Sequence, residues 1–243
     1  MPTVTPEIVK SLAPSGKLRV ALNHGNMVLV QGGNDSPRGV TVDLARELAK
    51  RLSVPVEFNH FPGAGQAFEG FQKQKLDIVF LAIEPVRAAE IDFTAPYVII
   101  EGVYIVPKDS ALKTPADVDR DGNRISVIAN SAYDLFLTRS LKHAKLVRSV
   151  DSPGSFDVFV KDKLEAAAGV KQPMVLYAKA HPEVRVIEQR FMEIQQAMGT
   201  QKGRDVGGKF LKAYVEEMKA SGFVADALKR SNQPDAGVAP PAR

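Results

Sequence analysis

Apolar residues recur along this chain at two spacings that take turns from one end to the other. Leu18-Arg19-Val20-Ala21-Leu22 reads as a strand. Over residues 41–52 the apolar positions Val42, Leu44, Ala45, Leu48, Ala49 and Leu52 fall on one helical face, with Asp43, Arg46, Glu47 and Arg51 opposite, which predicts an amphipathic helix. Residues 54–58 predict the next strand and 66–73 the next helix. The run 78–83 is continuously apolar between Asp77 and Glu84-Pro85, as a buried strand ending in a turn would be. A short helix carrying Arg87 follows. Phe93-Thr94-Ala95-Pro96-Tyr97 then opens an extended segment that continues through 98–107, broken at Glu101-Gly102.

The second half repeats the alternation. Helix is expected at 114–118, strand at 124–128, helix from Asn130-Ser131 to about 141, strands at 147–150 and 164–170, and helices at 156–161 and 172–180. Extended segments at 184–187 and 191–199 precede a long helix over 206–220, with Phe210, Leu211, Tyr214, Val215 and Met218 on one face, and a last helix at 224–228. A short leading helix over 5–12 is signalled by Thr5 as cap and Pro6 at its first position. Residues 231–243, rich in Pro, Ala and Gly, read as a loose tail. Strands alternating with helices argue for βαβ units and a mostly parallel sheet. In such a sheet Arg87 stands just past a strand end, where ligands bind, and its planar fork suits a carboxylate.

Composition narrows the classes. The 243 residues are 44% hydrophobic and 25% charged, ordinary for a globular protein. The net charge of +4 and pI near 9.2 come from basic residues interspersed with acidic ones, with no basic run interleaved with aromatics, so no nucleic-acid partner is indicated. There is no cysteine, hence no disulfide framework and no thiolate nucleophile. His24, His60, His143 and His181 stand apart without ligand spacing, so neither a metal nor any other cofactor is expected. Gln31-Gly32-Gly33-Asn34 fits a turn and neither phosphate-loop fingerprint. No apolar run approaches the ~20 residues a membrane span needs. Met1 to Pro6 lacks the basic and apolar regions of a signal peptide, which leaves a removed leader or none at all.

The stretch from Lys75 to Tyr97 resembles the signature of bacterial extracellular solute-binding proteins of family 3, the polar amino-acid type of ABC-transporter receptor. Asp77, Pro85, Arg87, Asp92, Phe93, Thr94, Pro96 and Tyr97 match it, and Gly39 to Ala45 resembles the family's Gly-x-x-Val-Asp-Leu-Ala segment. The resemblance covers roughly 18–230. It implies an α/β, two-lobed periplasmic-binding-protein type II fold with mostly parallel sheets and two crossing strands. Lobe 1 would comprise 1–105 plus 190–243, and lobe 2 would comprise 106–189. It further implies a monomer that captures a small solute between the lobes, closes on it by hinge bending and delivers it to an ABC permease in the inner membrane. The place implied is the periplasm, with the cytoplasm open if no leader exists.

Carried over position by position, the resemblance makes Arg87 the carboxylate grip. It places Asn26 in the first ligand-facing loop, Leu81, Ala82 and Ile83 at the strand end, Asn130, Ser131 and Ala132 in the second lobe's loop, and Gln196 on the second crossing. Two polar partners of the amino-acid receptors are missing: Ala82 stands at their threonine and Val170 at the aspartate that meets the α-ammonium. Enclosing an ammonium without a counter-charge is strongly disfavoured. The expected ligand is therefore a carboxylate other than a standard α-amino acid, held by Arg87 and, if it faces the cleft, Lys171. Ser131 either exposes an anion-binding helix N-terminus or only caps it. Tyr97 and Tyr133 are candidates for a stacking ring, with Tyr97 equally a packing residue. Two alternatives on the same scaffold remain: an enzyme resembling cyclohexadienyl dehydratase, with Glu84 or Glu165 as general acid, and a leaderless sensory or binding module.

Overall fold

The computed structural model describes residues 3–233 and 235–242. Met1, Pro2, Pro234 and Arg243 lie outside the described residues, and with them part of the N-terminus and of the tail read above. The chain divides into two compact units, residues 1–99 with 195–243 and residues 100–194. Both divisions fall inside long strands, β4 (Ile91–Pro107) and β8 (Val184–Gln201). The boundaries expected near 105 and 190 lie in the same two strands.

Unit 1 is built on β1 (Leu18–Asn23), β2 (Val56–Phe61) and β3 (Ile78–Ala82), in the order β2-β1-β3-β8. β1 runs parallel to both neighbours, and β8 runs antiparallel to β3, pairing Ala82 with Gln196 and Ile78 with Thr200. Every residue of β3 is buried, which is why its sequence is continuously apolar rather than alternating. Helices α2 (Val40–Leu52) and α3 (Ala64–Lys73) cover the sheet, and the α2 stripe read from sequence is the buried one. On the α3 side, Ala21, Ala67, Phe71, Val79, Leu81 and Ile91 pack together. α1 (Pro6–Leu12), α9 (Asp205–Ala220) and α10 (Phe223–Arg230) complete the unit. α1 begins at Thr5, whose hydroxyl accepts from the Ile8 N–H.

Unit 2 repeats the plan. β5 (Arg124–Ile128) runs parallel to β6 (Lys145–Ser149) and β7 (Ala166–Val170), and β7 pairs antiparallel with β4, giving the order β4-β7-β5-β6. The two units share one side-chain clasp. In unit 1, Arg19 donates through its backbone N–H (3.0 Å) and Nε (3.2 Å) to Asp77, and through Nη2 to the Lys75 carbonyl (2.7 Å). In unit 2, Arg124 donates through its backbone N–H (2.8 Å) and Nε (3.0 Å) to Glu165, and through Nη2 to the Lys163 carbonyl (2.8 Å). Lys75 and Lys163 both take a left-handed backbone, φ 48°. Lys-Leu-acid is thus the start of the third parallel strand in each unit.

The structure corrects the sequence reading in several places. The sheet is mixed, since β4 and β8 run antiparallel to the strands they flank. β4 is unbroken at Glu101-Gly102: a Cβ on Gly102 would meet Met192 Cγ at 2.7 Å and Phe191 Cζ at 3.0 Å, so the glycine serves close packing. β8 is likewise one strand through 188–190. β2 starts at Val56 rather than 54, because α2 ends on a left-handed Ser53 and the Val54 N–H still bonds back to the Ala49 carbonyl. The tail expected to be loose is tied down. Gly237 and Val238 form β9 against β4, the Ala239 N–H donates to the Tyr97 carbonyl, and Ala236 and Ala239 are buried.

Candidate ligand-binding site

In unit 1, β3 runs to Ala82 and the chain turns at Glu84, whose extended backbone (φ −136°, ψ 143°) is the conformation a following proline imposes. Pro85 opens the single-turn helix α4 (Pro85–Ala88), and the Ala88 N–H bonds the Glu84 carbonyl. This turn sends Arg87 back over the strand it followed. Its Nη1 donates to the Ala82 carbonyl at 3.2 Å. Arg87 is 2% exposed and Glu84 is 3% exposed. Burial pushes the guanidinium down to about 10, and the negative charge of Glu84 opposes that fall.

Beside this turn lies β8. Leu81 pairs with Ala197, Ala82 with buried Gln196, and the Ile83 N–H donates to the Gln195 carbonyl at 2.9 Å. Leu81, Ala82, Ile83, Arg87 and Gln196 therefore share one strand end. Asn26 is buried in the loop after β1. Its Oδ1 accepts from the Val28 N–H and its carbonyl from those of Leu29 and Val30, so it shapes that loop. Tyr97 is fully buried, bonded to Thr41 (3.1 Å) and edge-on to Phe80, which makes it a packing residue.

The same edge carries a pair the sequence did not announce. His24 follows β1 and His60 lies in β2, and their Nε2 and Nδ1 are 2.8 Å apart. Burial lowers both, and in His60 the neighbouring His24 adds to the fall. Each looked solitary because the register aligning β1 with β2 is invisible along the chain. Among the described residues no group of three or more metal-ligating side chains gathers.

In unit 2, Ser131 caps α6 (Ala132–Ser140) by accepting from the Asp134 N–H at 3.1 Å. The Asn130 N–H donates to the Asp134 carboxylate at 2.8 Å, so this helix start carries its own anion, in turn held by Arg148 (2.9 Å). The capping role is the one the structure displays. Buried Tyr133 has its hydroxyl pKa raised by burial. Val170 precedes α8 (Lys171–Ala180), and Lys171 Nζ donates to Glu101 at 2.7 Å. Arg190 also donates to Glu101 (3.1 Å), and the Lys171 bond is the main reason that carboxyl sits below its usual range. Lys171 is thus ion-paired, where the sequence reading offered it to a ligand. Glu165 is committed to Arg124, whose hydrogen bonds hold its carboxyl low. A carboxyl so held is a poor proton donor at neutral pH.

Residues 18–231 match the model of bacterial extracellular solute-binding proteins, family 3. The chain belongs to this family. Among individual solute-binding relatives, the amino-acid-binding protein AabA of Dichelobacter nodosus is 21% identical over 217 residues, covering 82% of this chain and 81% of the relative. The membrane-bound lytic murein transglycosylase F of a Shewanella strain is 25% identical over 129 residues, 52% of this chain, and the match spans only 26% of that longer protein. Among solved structures, the solute receptor for L-cysteine of Neisseria gonorrhoeae superposes with a TM-score of 0.78 at 22% identity, covering 93% of this chain and 94% of that one. The ancestral amino-acid-binding protein AncCDT-1, a precursor of cyclohexadienyl dehydratase, superposes at 0.76 with 23% identity, covering 91% and 97%. These likenesses bear out the periplasmic-binding-protein fold. Family 3 proteins are solute receptors of ABC transporters, and no helix among the described residues is long and apolar enough to cross a membrane.

Proposed function

We propose that this chain captures a small carboxylate-bearing solute, with Arg87 as the carboxylate grip, and hands it to an ABC permease. The observation that carries this is the near-complete burial of Arg87 one turn past the end of β3, where the family signature places it. The planar guanidinium fork can donate two parallel hydrogen bonds to a carboxylate. Leu81, Ala82, Ile83 and Gln196 would border the solute on this unit, and Asn26 would hold the loop beside it.

The solute is other than a standard α-amino acid bound in the manner of the family's amino-acid receptors, because Val170 offers no counter-charge to an ammonium and Lys171 already engages Glu101. The protein works as a monomeric periplasmic receptor and not as an enzyme. Of the two carboxylates suited to general-acid work, Glu165 is tied into its clasp.

A thermal-shift screen of the wild type and of Arg87→Ala and Arg87→Lys against carboxylates with and without amino groups tests the assignment. A ligand at ~100 times its Kd adds about 2.7 kcal/mol of stability. Arg87→Lys keeps a cation but loses the fork, so affinity falls by about 30-fold or more, the equivalent of roughly 2 kcal/mol. Undiminished affinity in a folded Arg87→Lys protein overturns the reading.

A further inference from the structure

The solute reading leaves unused two imidazoles at the carboxyl ends of β1 and β2. These strands run parallel, with Leu22 beside His60 and Asn23 beside Phe61. Side chains alternate between faces along a strand, so His24, two residues past Leu22, leaves from the same face as His60. The ladder reaches that far, since the His24 N–H donates to the Phe61 carbonyl at 2.9 Å. Beyond it the two loops close on each other at Gly25, where a Cβ would lie 2.8 Å from the Pro62 carbonyl oxygen and 3.1 Å from Gly63 Cα. Backbone register and a glycine contact thus hold the two rings together, and both rings keep partial exposure to solvent.

The facing atoms are Nε2 of His24 and Nδ1 of His60, 2.8 Å apart. With metal–nitrogen bonds of about 2.0–2.1 Å, two imidazoles at right angles around one ion stand about 2.8–3.0 Å apart, and at the tetrahedral angle about 3.3–3.4 Å. The observed spacing is therefore that of neighbouring corners of a square, the arrangement Cu²⁺ and Ni²⁺ adopt with nitrogen donors. We propose that His24 and His60 form a two-imidazole chelate for Cu²⁺ or Ni²⁺. Each ring pivots so that its lone pair leaves its neighbour and meets the ion. The proton shared between the rings moves to the outer nitrogen of the ring that held it, Nδ1 of His24 or Nε2 of His60, so two neutral rings stay neutral. Asp35 places a negative charge within range of His60, which favours a cation at this point. No group of three ligating side chains gathers among the described residues, so the ion's remaining positions are open to water or to a carboxylate from solution. The chelate requires neither Arg87 nor a bound solute.

Isothermal titration of the untagged full chain with CuCl₂ and with NiCl₂ tests the proposal. The variants are His24→Gln, His60→Gln and, as a control for the two imidazoles that stand elsewhere, the double variant His143→Gln/His181→Gln. The wild type and the control variant take up one ion per chain with equal affinity. His24→Gln and His60→Gln each weaken binding by about 100-fold or more, because one donor alone loses the effective concentration that its neighbour supplies. Equal affinity in the wild type and in either single variant overturns the proposal, as does a loss of binding in the control variant. Electron paramagnetic resonance of the Cu²⁺-loaded wild type keeps the test independent of how the variants fold. Couplings to two imidazole nitrogens are expected there, and a spectrum with one or none overturns the chelate whatever the variants do.

Discussion

The two clasps offer a paired perturbation of like chemistry in which burial differs and Asp77 meets a second guanidinium, that of Arg204. Asp77 is fully buried and collects four donated bonds: from the Arg19 N–H (3.0 Å), Nε (3.2 Å) and Nη2 (3.3 Å), and from Arg204 Nη1 (3.0 Å). Asp77→Asn leaves two guanidiniums facing an amide, one of whose ends is itself a donor. Breaking a buried pair by removing one partner costs about 3–5 kcal/mol. Arg19 and Arg204 retain 27% and 19% side-chain exposure, so part of their charge stays hydrated and the lower end, about 3 kcal/mol, applies. Glu165 keeps 32% exposure and its Arg124 41%. At that exposure water replaces much of what Glu165→Gln removes, and the loss is no more than about 1 kcal/mol. In urea, with a slope of about 2 kcal/mol/M, the midpoint of the transition moves by about 1.5 M for Asp77→Asn and by about 0.5 M or less for Glu165→Gln. Far-UV circular dichroism of the full chain reads both. If the two variants shift their transitions equally, burial does not set the value of the clasp and the reasoning fails.

Two further outcomes follow from local geometry. Gly39 precedes α2 at φ 114°, and a Cβ there would lie 2.4 Å from the Leu29 carbonyl oxygen, a backbone atom that cannot swing away. Gly39→Ala should therefore cost on the order of 3 kcal/mol in urea denaturation, combining strain with overpacking, and a change under 1 kcal/mol would refute the close approach. The His24–His60 pair sets a pH dependence. Both pKa values lie below 6.5 in the folded chain, so the unfolded chain takes up protons more readily. This contribution to stability is fully present above about pH 6.5 and is lost as pH falls below it. Melting temperatures of the wild type should drop more steeply between about pH 6.5 and 5 than those of a His24→Gln/His60→Gln double variant, and a steeper drop in the variant would reverse the assigned sign.

What the sequence disclosed was whatever is encoded by period or by a local stop. The α2 stripe, the Thr5 cap, the apolar β3 and the proline-opened turn before Arg87 each depend on residues a few positions apart, and each stands where it was read. The misreadings came from structure set by distant partners. Glu101-Gly102 reads as a break until Phe191 and Met192 are seen packing on that glycine, and 188–190 reads as a gap although β8 runs through it. The Pro-, Ala- and Gly-rich tail has little apolar bulk, yet the backbone of β4 gives it hydrogen-bonding partners that composition cannot foresee. His24 with His60, and Lys171 with Glu101, are joined only by strand register or by a residue far off in the chain.

The internal repeat changes how the remaining residues are weighed. A single copy of Lys-Leu-Asp followed by an apolar strand could owe each residue to fold or to function with equal ease. Two copies separate these causes, because a feature that serves the fold should appear in both. The clasp appears in both, as do the left-handed lysine and the proline after the third strand. The charges of Glu84 and Arg87 appear in one. The two passages differ in register as well as in charge, since Glu84 caps α4 whereas Gln172 already lies inside α8. Replacing Arg87 by valine, the residue ten positions past the clasp acid in unit 2, should abolish solute binding as the proposed grip requires, with far-UV circular dichroism reporting whether the unit stays folded.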